Sequence, residues 1–114
     1  MKKSLLCLFA LCALPVSASF IHPQKFDGSE SQKQEVFSYI QSRTQHDYCQ
    51  STEGCSADKV KALEQENLDA FIRLSKTDNK MILDNAIHAY CKVVDMCNYQ
   101  MLEAVYTENI KAGS

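Results

Sequence analysis

Tryptophan is missing from this chain, and 114 residues hold only three glycines and two prolines. So few glycines leave no glycine-rich phosphate loop, and neither G-x-S-x-G nor H-E-x-x-H appears. The usual signatures of nucleotide binding, serine hydrolysis and zinc proteolysis are therefore absent. C-x-x-C is absent too, and the cysteine pairs have no flanking tryptophan or proline; a disulfide oxidoreductase's low-pKa thiol has no setting here. Positive charge is not in excess, with 12 Lys and Arg against 14 Asp and Glu, which argues against nucleic acid as a partner. No run alternates strictly enough to read as a strand.

What is present starts with a leader. Lys2 and Lys3 precede an apolar core from Leu5 to Pro15, and the small residues Val16-Ser17-Ala18-Ser19 follow. That is the layout of a secretory signal peptide, residues 1–18, with cleavage after Ala18 or after Ser19. Its core is shorter than the roughly 20 residues of a transmembrane helix. No other apolar run follows, so no integral membrane segment is expected after signal cleavage. The expected product is exported, to the periplasm or the extracellular space.

Removing residues 1–18 leaves 96 residues (114 − 18) with four cysteines, ten basic and fourteen acidic side chains, a formal charge of −4. A chain this small buries a modest share of its surface, so covalent staples matter. Four cysteines in an exported chain read most simply as two disulfides.

Those cysteines sit in a pattern that occurs twice. His46-Asp47-Tyr48-Cys49 leads to Cys55, and His88-Ala89-Tyr90-Cys91 leads to Cys97, both H-x-Y-C-x5-C and 42 positions apart (88 − 46). The same shift lays Val60 on Leu102, Ala62 on Ala104, Leu63 on Val105, and Glu66-Asn67-Leu68 on Glu108-Asn109-Ile110. The pattern predicts a duplicated helix–loop–helix unit. The expected organisation is an extended N-terminal arm, 19–28, then a single helical domain, 29–114, with units of about 31–74 and 75–113.

Local signals fit four helices. Ser29 with Gln32 predicts a capping box, and Val36, Phe37, Ile40 and Thr44 form one stripe. Ser56 caps a second helix with Val60, Leu63, Asn67, Ala70, Phe71 and Leu74 on its buried face. Ser75-Lys76-Thr77-Asp78 closes it and caps a third, carrying Met81, Leu83, Ala86, Ile87 and Tyr90. Met101, Leu102, Val105, Tyr106 and Ile110 mark the fourth. Asn67 and Asn109 are expected to make helix–helix hydrogen bonds. The predicted fold class is all-α: a disulfide-stapled four-helix bundle built from two duplicated units.

Four cysteines allow three pairings. In an unbroken helix Cys91 and Cys97 would stand about 9 Å apart along the axis, too far for a disulfide, whose Cα atoms lie roughly 4.4–6.8 Å apart. The repeat puts Lys92–Met96 in the place of the polar loop Gln50–Gly54, so a break is expected there. Local pairing, Cys49–Cys55 with Cys91–Cys97, is then favoured over the crossed and nested schemes.

Three histidines are the metal candidates. His46 with Cys49, and His88 with Cys91, have the spacing of zinc half-sites. If cleavage follows Ser19, the chain begins Phe20-Ile21-His22, whose four nitrogens suit square-planar Cu(II). Packing beside the disulfides is the simpler role for His46 and His88, and a place in a packed arm for His22; no cofactor is expected. The expected function is a small exported, non-enzymatic binding protein for a protein partner, with an immunity or inhibitor protein as its most concrete form. The alternative is a periplasmic copper- or zinc-binding protein.

Overall fold

The computed structural model describes residues 19–49 and 55–113. The signal peptide and the loop Gln50–Gly54 lie outside the described residues. A short 3-10 turn, Pro23–Lys25, precedes four helices: α1 (Glu30–Tyr48), α2 (Ala57–Ser75), α3 (Lys80–Ile87) and α4 (Tyr99–Gly113). α3 runs into a single π-helical stretch, His88–Val93. The arrangement is all-helical and disulfide-linked.

Each helix start has a side-chain cap, which satisfies amide groups that have no partner within the helix. Ser29, Ser56, Asn79 and Asn98 accept from the amides of Gln32, Lys59, Ile82 and Met101 at 3.1, 3.2, 3.1 and 2.9 Å. Two details depart from the sequence reading. α3 is capped by Asn79, one residue past Asp78. The box at Ser29 is only half formed, because the Asp27 carboxylate takes the Ser29 amide at 2.8 Å and Gln32 turns to the Asp27 amide at 2.9 Å. Gly28, at φ +79°, makes the turn that brings Asp27 back over the helix start.

α2 is the central element, packing on α1, on α4 and on the 3-10 turn, while α3 packs on α4. The core joins Val36 and Ile40 of α1, Ala70, Phe71 and Leu74 of α2, Leu83 and Ala86 of α3, and Tyr99, Leu102 and Tyr106 of α4. Ile21 of the arm completes it. Phe37 and Met81, expected on buried stripes, are 47% and 69% exposed. As the stripe predicts, α3 turns Leu83 and Ala86 inward and packs Ile87 against the cluster, where Ile82 joins it.

The arm is part of the body. Phe20 stacks on Tyr99 at 5.3 Å and meets Tyr39 edge-on at 5.5 Å, and Phe26 meets Phe71 edge-on at 5.1 Å. Such aromatic pairs add stabilisation beyond the area they bury. Among the described residues no helix is long and apolar enough to cross a membrane.

Candidate functional site: two disulfide joints and the helix faces

Both disulfides are local. Cys49–Cys55 spans 5.2 Å between Cα atoms and Cys91–Cys97 spans 4.4 Å. The second joint shows how an uninterrupted sequence breaks a helix. Near its end the backbone slips to wider bonds: the Val94 amide donates to Ala89 at 3.1 Å and the Met96 amide to Tyr90 at 3.0 Å. Val94 is extended, at φ −116° and ψ 141°, and the chain turns so that Cys97 returns to Cys91.

The 42-residue offset persists at the helix starts, since Ala57 matches Tyr99 and the caps Ser56 and Asn98 match each other. It does not extend to the helix ends. α1 stops at Tyr48, whereas the second unit continues three residues further, through Val93. Asn67 is buried and bridges helices, accepting from the Gln100 amide at 3.0 Å and donating to the Leu63 carbonyl at 3.0 Å. Asn109 is exposed. Two equivalent hairpin units are therefore not established.

The two joints are tied together by a polar network of which spacing offers only the i,i+4 pair Arg43–Asp47. Arg43, near the end of α1, holds Asp47 through Nε at 3.1 Å and Nη2 at 3.0 Å. The same Nη2 donates to the carbonyl and the carboxylate of Asp95, each at 2.9 Å. Asn98 donates to Asp47 at 2.9 Å, and the Tyr39 hydroxyl donates to the Cys97 carbonyl at 2.6 Å. Burial opposes ionisation of Asp47, but hydrogen bonds from His46, Asn98 and Arg43 outweigh it and hold its pKa below the ordinary carboxylate range. Burial, with Asp47 and Asp95 nearby, pushes the Tyr39 phenol up to about 12 against the opposing pull of Arg43.

The histidines fall into separate environments. His46 lies between two carboxylates, with Nδ1 2.8 Å from Asp47 and Nε2 3.2 Å from Asp95. Its two nitrogens point in different directions, so these carboxylates cannot converge with it on one ion. His88 is exposed at the start of the π stretch. His22 accepts the Gln24 amide on Nδ1 at 3.1 Å, which leaves Nε2 to donate to Asp84 at 2.8 Å. The Ile21 amide donates to the Tyr99 hydroxyl at 3.1 Å. A square copper site at the arm, taking the Ile21 amide and His22 Nδ1, would have to displace the Tyr99 and Gln24 bonds. Cys49 and Cys91, the other halves of the zinc spacing, are committed to disulfides. Among the described residues no group of three His, Cys, Asp or Glu is placed to hold a metal ion.

Two surface grooves among the described residues bear on function. One, of about 560 Å³, runs between α2 and α4 and is lined by Glu66, Asp69, Glu103 and Glu108, with Arg73 as its single cation. Arg73 is held bidentate by Glu103 at 2.6 and 2.8 Å, so the groove keeps three net negative charges (four carboxylates less one guanidinium). The other, of about 260 Å³, lies between α1 and α2 and is walled by Phe26, Val36, Phe37, Leu68, Phe71 and Ile72, with Lys33 at its rim.

No protein-family model matches this chain, and neither a characterised protein nor a solved structure shows significant similarity to it.

Proposed function

We propose that the mature chain is an exported, non-enzymatic binding protein that holds a protein partner, most concretely as an immunity or inhibitor protein for a partner with a basic cleft. The observation that supports this reading is the acidic groove between α2 and α4. It is carried by two helices whose starts are capped and whose joints are closed by disulfides. A rigid surface loses little conformational freedom on binding, so more of its contact energy appears as affinity. An excess of carboxylates steers a cationic partner and raises its association rate. The leader at 1–18 accounts for delivery, and the charge of −4 after its removal has the same sign as the groove.

The test is affinity capture from the exported fraction with the immobilised mature protein, at low and high salt. A partner should be retained in a salt-sensitive way and lost from the Glu66→Lys/Glu108→Lys variant. Retention indifferent to both salt and charge reversal would refute the groove as the binding surface.

A further inference from the structure

The ring of His46 has more contacts than one proton can serve. Nδ1 lies 2.8 Å from Oδ1 of Asp47, and Nε2 lies 3.2 Å from Oδ2 of Asp95. Both carboxylates already accept from other donors: Asp47 from Arg43 and Asn98, and Asp95 from Arg43 on its second oxygen. An ionised carboxylate can only accept, and a neutral imidazole has a single N–H. Both ring contacts are therefore hydrogen bonds only when the ring holds two protons. With one proton, a ring lone pair faces a carboxylate oxygen on one side, and that contact is lost.

The surroundings decide which side lets go. Asp47 adjoins His46 on α1, its side chain is 12% exposed, and its bond to the ring is the shorter. Asp95 is 70% exposed and follows the extended Val94. The remaining proton then stays on Nδ1, facing Asp47, and Asp95 is released, since the partner of one ring nitrogen sets where the proton of the other sits. Among the described residues, the charged groups placed against this cluster are Arg43 and Asp47 of α1 and Asp95 of the second joint. The Tyr39 phenol beside Arg43, pushed up to about 12, stays neutral, and Asn98 before α4 is uncharged. With the ring doubly protonated, two cations balance two carboxylates; loss of the proton leaves one negative charge in excess.

We propose that His46 is a proton-operated latch between the two disulfide joints. Doubly protonated, it ties Asp95, and with it residues 94–96, to the end of α1; singly protonated, it lets them go. The latched state holds the proton that the open state gives up, so acid favours the latch and rising pH opens it. Histidine changes charge between about pH 5 and pH 8, and export would expose the latch to the pH outside the cell. Arg43 keeps a second hold on Asp95 through its carbonyl and its carboxylate, so release loosens the tip without unfolding the joint. The tip so loosened is apolar, with Val93, Val94 and Met96 all exposed. The acidic groove uses none of these residues.

A double-mutant cycle of His46→Gln and Asp95→Ala tests the latch, read as urea unfolding of the mature protein on either side of histidine's range, at about pH 5.5 and about pH 8. At the lower pH the pair should be coupled by about threefold in the unfolding constant, the size suited to a largely exposed ion pair. At the higher pH the coupling should vanish. Nitrogen chemical shifts of the wild-type ring give a second readout that no variant's folding can disturb. Both ring nitrogens should be protonated at the lower pH. At the higher pH the proton should sit on Nδ1, although neutral histidine side chains in water prefer Nε2. Coupling that is equal at both pH values, or absent at both, overturns the proposal. So does a neutral ring protonated on Nε2, because that proton would hold Asp95 in place.

Discussion

Tyr99 and Ile21 hold each other through two hydrogen bonds: the phenol donates to the Ile21 carbonyl at 2.9 Å and accepts from the Ile21 amide at 3.1 Å. Seventy-eight positions separate them. Tyr99 is fully buried, so one hydroxyl satisfies both backbone groups of an arm residue that has no secondary-structure partner. Tyr99→Phe keeps the ring but strands a buried amide and a buried carbonyl. The expected loss is about 2–3 kcal/mol in urea unfolding, with amide exchange quickening at Ile21. Unchanged stability would mean that the arm is not held by this clamp.

Thr44 gives the opposite expectation. It is 2% exposed, and its hydroxyl has no hydrogen-bond partner among the described residues. Thr44→Val removes a buried, unsatisfied polar atom at nearly constant shape and should stabilise by about 0.5–1 kcal/mol. Denaturant midpoints of the two proteins decide the sign.

The second staple can be assessed by removal. Cys91→Ser with Cys97→Ser frees a short loop, whose closure entropy corresponds to about 2 kcal/mol in the chain-entropy model. The melting temperature should fall accordingly. Arg43 and Tyr39 still tie Asp95 and Cys97 to α1, so the variant should remain helical by circular dichroism.

Acid should destabilise through two carboxylates. The Asp84 carboxyl is lowered to about 2 by a hydrogen bond from Lys80 and then by one from His22, and Asp47 is lowered as described above. Both are depressed in the fold, so their contribution is present above the unfolded value near about 3.9 and is lost as pH falls through the folded values. Stability should therefore drop between about pH 4 and pH 2. Asp84→Asn should flatten that limb; a curve parallel to wild type would show that Asp84 is not a contributor.

Alkali acts through Tyr39, whose phenol burial pushes up to about 12. The contribution of this raised group is complete below the unfolded value of about 10 and is lost as pH rises through about 12. Tyrosinate absorbance should show late ionisation that moves to the ordinary range on unfolding, with part of the late signal missing in Tyr39→Phe.

Local chemistry in the sequence reached far into this fold. Apolar spacing placed the four helices, Ser29 and Ser56 marked two of their starts, and the 9 Å argument tied local Cys91–Cys97 pairing to a break before Cys97. These features depend on groups within a turn or two of one another, and such distances can be read along a chain. The exposure of Met81 and Phe37 could not be read that way, because an apolar residue at the margin of a stripe is buried or bare according to where the neighbouring helix lies.

The candidate site was less legible. His46 and the cysteines were visible as a motif, but Arg43 reaches Asp95 across 52 positions, and no spacing rule records such a pair. The grooves are likewise properties of packed faces: Glu66 and Glu108 look like ordinary solvated carboxylates until α2 and α4 are set side by side. The repeated H-x-Y-C-x5-C, with the similarity of the residues after it, pointed to where the chain bends, and the local disulfides are formed there. Which side chains those bends bring together was decided only by tertiary packing, because interhelical contacts depend on the crossing and rotation of whole helices.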